Sequence, residues 1–455
     1  MGCRLSDGLG NFLLSPQRIL PQLTSLPRVA LITAGAAGMY CGSCLRDSAL
    51  AATLLKRGID IQLIPTYTPL RTEEDDVSID RVFFGGINVY LQQRLGYYRY
   101  LPRWVHSMLD HPRLLRWAAR QNLSTQAREV GDLTLSMLRG KEGNQSREVD
   151  KIVRWLATSA RPDVINLSNM LLAGCLPEIK RALDVPIVVT LQGDDLFIEE
   201  LPQTYRRQAL KEIQRLVACV DVFIVFTEYY ANFMSEYFGI PAEKIRIVPL
   251  GISLQGFPAQ LPVRPDRHPT IGYMARLCPA KGLHHLVDAF VRLREMDPGE
   301  SIQLRIAGWL SEHDRPYVKS QFEKIRTAGF GNDFEYLGSV DRRSKLEFLR
   351  SLDVLSVPTV YREPKGMYVL EALASGTPVV QPGHGAFPEL LAAGGGCLFQ
   401  PNDVEELART LHEVLAGHQQ REDLRRSGHQ SVHQQSHIDG MADATMEVFL
   451  DVLPR

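Results

Sequence analysis

At 455 residues the chain is too long for one ordinary domain, so two or three are expected. With 51 Lys and Arg against 52 Asp and Glu the formal net charge is −1, which argues against a general nucleic-acid binder. The apolar fraction (45%) and charged fraction (23%) are those of a globular protein, and no run of about 18 apolar residues is present to span a membrane.

Seven cysteines are an odd number and sparse for a secreted disulfide scaffold, which points to a reducing, cytoplasmic setting. The opening MGCRLS fits the Met-Gly-x-x-x-Ser acylation pattern with Cys3 beside it; the plainer reading is a flexible leader over 1–27. Residues 28–33 (RVALIT) form a short β-branched run, the first strand. A glycine-rich loop (AGAAGMYCGSC) follows, then a helix from about 45 to 57, Gly58 and a second strand in IDIQLIP. This β–loop–α–β start is Rossmann-like. Gly35, Gly38 and Gly42 let a ligand approach the backbone, although they do not make a strict G-x-G-x-x-G. Cys41 and Cys44 form a CxxC; with no second Cys or His pair nearby they read as thiols in a tight turn, a redox pair or half a zinc site being the alternative.

Between 71 and 140 the pattern loosens into an insertion rich in Arg and aromatics. Trp104, Val105, Met108 and Leu109 can share a helix face, as can Leu114, Leu115 and Ala118. Packing onto the N-terminal domain is the first reading, an acceptor-side lid the second, and peripheral membrane contact through about 94–120 the third. The β/α rhythm returns at 163–168, 186–192, 221–227 and 245–251 with continuously apolar runs, as parallel strands covered on both faces require. Asp194 and Asp195 follow one of these strands without an evident third ligand and read as polar cleft residues. A proline-rich polar stretch places a linker at 252–268.

A second Rossmann-like half opens at TIGYMAR (270–276), and its helix carries Leu283, Leu286, Val287 and Phe290 at helical spacing. Arg276 and Lys281, in RLCPAKG, stand past the C-terminal end of that first strand, where open α/β sheets bind ligands. Two cations there can hold a diphosphate. Further strands are read at 302–308, 334–338, 353–359, 377–381 and 396–400, and a last helix is apolar at Met441, Ala444, Val448, Phe449 and Val452. In 361–380 (YREPKGMYVLEALASGTPVV), Gly366 opens a helix on which Met367, Leu370, Glu371 and Ala374 share a face. Glu371 is thereby placed on or beside the buried stripe and needs a donor. Glu363 lies in the loop before it, and the helix N-terminus between the two acids suits a phosphate.

Glu363, seven residues, then Glu371, with Gly366 three after the first Glu and EALASGTPVV following, resembles the retaining glycosyltransferases of the GT-B fold, most like family 4. RLxxxKG ahead of this pattern strengthens the resemblance, which covers most of 28–450. It implies an α/β protein of two Rossmann-like domains facing across a cleft: an acceptor domain over 28–251, the linker at 252–268, a nucleotide-sugar donor domain over 269–431, and a C-terminal helix, 432–455, crossing back to the first domain. It further implies that Glu363 contacts the donor sugar and Glu371 the ribose. Arg276 and Lys281 hold the leaving diphosphate; Gly366, Met367 and Tyr368 line the anion pocket; Gly338, in EYLGSV, lies near the base and Gly38 near the phosphates. The expected reaction is a metal-independent retaining transfer from a nucleotide-diphosphate sugar to a saccharide, lipid or small-molecule hydroxyl, without a separate cofactor. A nucleotide-sugar sensor and an epimerase-like relative are the alternatives. Many members carry a His where this chain has Gln192; an amide can bond a sugar hydroxyl but cannot take a proton at neutral pH. The expected location is the cytoplasm, with peripheral contact on the inner membrane face as the variant.

Overall fold

The computed structural model describes residues 26–35, 42–68, 76–79, 82–84, 127–263, 267–297 and 299–454. Most of the 1–27 leader, Gly38, Cys41 and most of the 71–140 insertion, including 94–120, lie outside these residues.

The first half builds one sheet from β1 (Val29–Thr33), β2 (Ile61–Pro65), β3 (Val164–Leu167), β4 (Ile187–Thr190), β5 (Val222–Val225) and β6 (Ile245–Ile247). Its order is β2-β1-β3-β4-β5-β6, every pairing parallel. The second half repeats the scheme with β7 (Thr270–Met274), β8 (Gln303–Ala307), β9 (Phe334–Tyr336), β10 (Val354–Leu355), β11 (Val379–Pro382) and β12 (Gly396–Phe399). Its order is β12-β11-β10-β7-β8-β9, again all parallel. The interior strands are apolar on both faces because helices cover both, and β1, β3, β4, β5 and β7 are buried at every residue.

The strands end earlier than the apolar runs. In the run 353–359 only Val354 and Leu355 pair with β7; residues 356–359 leave the ladder yet stay buried. Apolar character there serves to bury the loop that leads to Glu363. In 270–276 the strand stops at Met274, which frees Arg276 for the loop. The order of the second sheet reverses between β7 and β10, so the loops after those two strands, carrying Arg276 with Lys281 and Glu363, open into the crevice at the switch point.

The helices that shape the cleft and the joint between the halves are α1 (Gly42–Lys56), α2 (Glu228–Phe238), α3 (Leu283–Met296), α4 (Arg342–Arg350), α5 (Met367–Ala374), α6 (His418–Gln435) and α7 (Ile438–Val452). The helix expected from about 45 begins at Gly42. The stripe reading of α5 needs correction. Val369, Leu370, Ala372, Leu373 and Ala374 are all buried, so the helix is wrapped almost all round, and Met367 and Glu371 form its least buried edge. The terminal crossing also starts later than 432. Helix α6 continues to Gln435 and the chain breaks at Ser436 and His437.

There the Ile252 N–H donates to the Ser436 carbonyl (3.0 Å) and the Ile438 N–H to the Ile252 carbonyl (2.8 Å), zipping the start of α7 to the linker. Helix α7 packs on α1, and Arg57 at the end of α1 pairs with Asp439 (2.8 Å) and Asp443 (2.5 Å). Each domain has its own core. A third apolar cluster runs from Leu50 and Leu54 of α1 through Met446 and Phe449 of α7 into Val369–Ala374 of α5, which joins the two halves behind the cleft.

Candidate active site at the domain cleft

Glu363 is 4% exposed, and both oxygens of its carboxylate hold partners. One oxygen accepts from Lys281 Nζ (2.7 Å) and from Tyr361 Oη (2.8 Å); the other accepts the Gly366 N–H (3.3 Å). Burial alone would raise this carboxyl; the Lys281 charge, with hydrogen bonds from Lys281, Tyr361 and Gly366, outweighs it and holds Glu363 below its ordinary value. Lys281 lies between two aromatic faces, 5.0 Å from the Tyr361 ring centroid and 5.2 Å from that of Tyr368. Burial keeps both phenols protonated. The local shape rests on two glycines. Gly366 has φ 62° and would drive a Cβ to 2.7 Å from Leu390. Gly385 also has φ 62°, and a Cβ there would stand 2.6 Å from the backbone N and O of Glu363.

Arg276 is exposed and feels the Glu200 carboxylate of the N-terminal domain across the cleft. Helix α5 begins at Met367, directly after the Gly366 whose N–H Glu363 accepts, so its first N–H groups have no partner within the helix. Glu371, one turn on, is half-buried and pairs with Lys345 Nζ of α4 at 2.7 Å. Glu371 and Met367 line an open pocket whose other walls include Arg46 and Ser48 of α1, residues 251–253 at the start of the linker, and Arg342. The structure thus brings Lys281, Glu363, Gly366 and Tyr368 into one contact set, with Met367 and Glu371 on the adjoining pocket. Gly338 lies apart on the loop after β9, where its carbonyl accepts the Gly308 N–H (2.9 Å). Gly38 lies outside the described residues.

Gln192 sits at the floor of the N-terminal side, 6% exposed. Its amide nitrogen donates to Asp47 Oδ1 (3.2 Å) and to the Ser168 carbonyl (3.1 Å), and Arg46 Nε donates to its oxygen (3.4 Å). Both amide hydrogens are therefore used inside the domain. Asp194 and Asp195 are equally engaged. Asp194 accepts the Met170 N–H (2.5 Å) and the Gln192 N–H (2.9 Å); Asp195 accepts from Tyr230 Oη (2.6 Å). Among the described residues no three His, Cys, Asp or Glu side chains gather as metal ligands.

Sequence reasoning missed Lys345, Tyr361, the Arg46–Asp47–Gln192 network and the reach of Glu389 across the cleft. Only Tyr361 carried a local signal, two residues before Glu363. The His384 ring nitrogen meets the Thr359 carbonyl at 3.0 Å.

The sequence matches the Glycosyltransferase Family 4 model over 118–255 and the Glycosyl transferases group 1 model over 260–431, so each half of the chain carries a match. The chain belongs to the family 4-like glycosyltransferases of the GT-B fold. A glycogen synthase of Mycobacterium tuberculosis is 28% identical over 296 residues, covering 64% of this glycosyltransferase and 69% of the relative. The mannosylfructose-phosphate synthase of Agrobacterium fabrum is 27% identical over 233 residues, 48% of this chain and 51% of its own length. Among solved structures, sucrose-phosphate synthase of Thermosynechococcus elongatus superposes with a TM-score of 0.68 at 16% identity, covering 93% of this chain and 98% of that one. The Anabaena protein HepE, solved with UDP and glucose, gives 0.65 at 16% identity, covering 93% and 100%. These structures share the GT-B fold with this glycosyltransferase. No helix among the described residues is long and apolar enough to cross a membrane.

Proposed function

We propose that this glycosyltransferase is a retaining enzyme that moves a sugar from a nucleoside-diphosphate sugar to a hydroxyl of a saccharide, lipid or small-molecule acceptor without a metal. The observation that carries the reading is the Lys281–Glu363 pair at the N-terminus of α5, an ionised carboxylate and a cation held side by side at the switch point. Glu363 accepts hydrogen bonds from donor-sugar hydroxyls. Glu371 holds the ribose next to Met367, and Gly338 lies toward the base. The bond from the anomeric carbon to the diphosphate oxygen breaks as the acceptor oxygen attacks on the same face, and the acceptor proton passes to the departing phosphate. Arg276, Lys281 and the N–H groups of Met367 and Tyr368, at the start of the helix that Gly366 opens, stabilise the charge that grows on the diphosphate, the role a divalent ion would otherwise take. Gly38, in the glycine-rich loop, is assigned to the phosphates from the acceptor side.

HepE was solved with UDP-glucose, so uridine donors come first in a substrate panel. Acceptor choice is assigned to the 71–140 insertion, and removal of 94–120 is expected to change acceptor use or membrane association while leaving nucleotide binding intact. The test is transfer from a panel of α-linked nucleotide sugars in EDTA, with the product anomer read by NMR. An α-linked product formed in EDTA supports the reading. A β-linked product contradicts retention, and activity lost in EDTA and restored by a divalent ion contradicts metal independence. The engagement of Gln192 within its own domain favours one competitor, a nucleotide-sugar-binding protein without turnover. Time-dependent release of nucleoside diphosphate separates it from the enzyme.

A further inference from the structure

We propose that Glu389 is a positioning residue: it seats the acceptor domain on the loop that carries Glu363, and transfer depends on it although it lies outside the donor site. The proposal rests on the transferase function proposed for this cleft.

Glu389 belongs to the short helix Phe387–Leu390 that follows the Gly383–Gly385 turn. That turn is keyed to the backbone of Glu363. The Ala386 N–H donates to the Glu363 carbonyl at 2.8 Å, and the approach at Gly385 is too close for any Cβ. Three residues on, the Glu389 side chain leaves the donor domain. Its Oε2 accepts the Glu228 N–H (2.8 Å) and its Oε1 the Tyr229 N–H (2.7 Å). These are the first two residues of α2, whose amides have no partner within their own helix; the third, Tyr230, is capped by Thr227 Oγ1 (3.2 Å). A carboxylate at this end is favoured by the helix dipole and by two charge-assisted bonds at once.

The seam continues on either side of Glu363. Arg362 lies near enough to the Tyr229 phenol for its charge to act on it. Pro364 lies so near Gly193 that a Cβ there would be 3.3 Å from its Cγ, and Lys365 Nζ donates to Ser43 Oγ at 2.6 Å. The residues flanking Glu363 therefore touch the acceptor domain, and Glu389 ties the same loop to α2 by two bonds. Glu389 itself is exposed, so neither domain's core depends on it. What depends on it is the spacing between a donor held on one domain and an acceptor held on the other, and reacting atoms must come to about 3–3.5 Å in line.

The test compares full-length wild type, Glu389→Gln and Glu389→Ala. Gln keeps one acceptor oxygen for the two N–H groups and Ala keeps none. Three readouts are taken: affinity for nucleoside diphosphate, kcat and KM for transfer, and small-angle scattering with and without nucleoside diphosphate. The expected result is nucleotide affinity within about twofold of wild type for both variants. The kcat should be about tenfold or more lower for Ala and intermediate for Gln, with a scattering envelope that opens in the same order. Wild-type kcat in Glu389→Ala overturns the proposal. So does a loss of nucleotide affinity in step with kcat, which would make Glu389 part of the donor domain's own fold. If wild type bound no nucleoside diphosphate, the transferase reading would fail instead. The scattering comparison would still decide the latch, with unchanged envelopes counting against it.

Discussion

At the scale of single residues, the site is a set of buried charges that must answer one another. Lys281 is the principal partner of a carboxylate with side-chain exposure of 5%. Lys281→Ala should lower stability by roughly 3 kcal/mol, because it leaves that charge buried without its cation. It should also weaken nucleoside-diphosphate binding; denaturant unfolding and calorimetric titration check the two separately. Asp194 makes a prediction about pH. Burial pushes its carboxyl up to about 6, against the N–H groups of Gln192 and Met170 that lower it. Between its ordinary 3.8 and that value the folded chain binds more protons than the unfolded chain, so this group makes stability fall as pH rises. Glu363 acts in the opposite sense at lower pH, where protonation removes the stability its ion pair supplies. Asp194→Asn should flatten the slope of stability with pH between roughly pH 4 and 6 in urea unfolding, leaving the loss at lower pH in place. An unchanged slope would mean that another group sets it.

At the scale of elements, the turn after β11 closely constrains the site. Gly385→Ala would place a methyl 2.6 Å from the backbone of Glu363 at a φ of 62°. The expected cost is about 1–3 kcal/mol of strain, with transfer activity falling further than nucleotide affinity, as parallel thermal melts and kinetics would show. The same elements show what could be read in advance. Parallel strands covered on both faces are continuously apolar, so runs such as 163–168 and 221–227 gave their strands away. Glu363, Gly366 and Glu371 lie within nine residues, and local spacing was enough to bring them out. Lys345 was not legible, because it meets Glu371 only once α4 packs against α5, 26 residues away in the chain. Glu389 was harder still, since its partners are backbone N–H groups 160 and 161 residues distant, which no side-chain pattern announces. The stripe on α5 misled because a central helix is apolar all round, so periodicity could not say which edge opens to the pocket.

At the scale of the whole molecule, two six-stranded parallel sheets are held from behind by α7 and in front by contacts around Glu363. Phe449 is fully buried in the cluster that α7 shares with α1 and α5. Phe449→Ala should cost about 4 kcal/mol and, by loosening the joint, split one unfolding transition into two in scanning calorimetry. A single transition at the wild-type temperature would mean that the joint contributes little.

The central claim is that a nucleoside diphosphate is held between Lys281, Glu371 and the start of α5. The measurement that tests it most directly is a metal-free thermal-shift panel of UDP, GDP and ADP on wild type and Glu371→Ala. A ligand at about 100 times its Kd adds about 2.7 kcal/mol of stability, which such a melt resolves. A shift with at least one nucleotide is expected in wild type, sharply reduced in Glu371→Ala. No shift with any of the three in folded wild-type protein, or a shift that Glu371→Ala leaves intact, would contradict it.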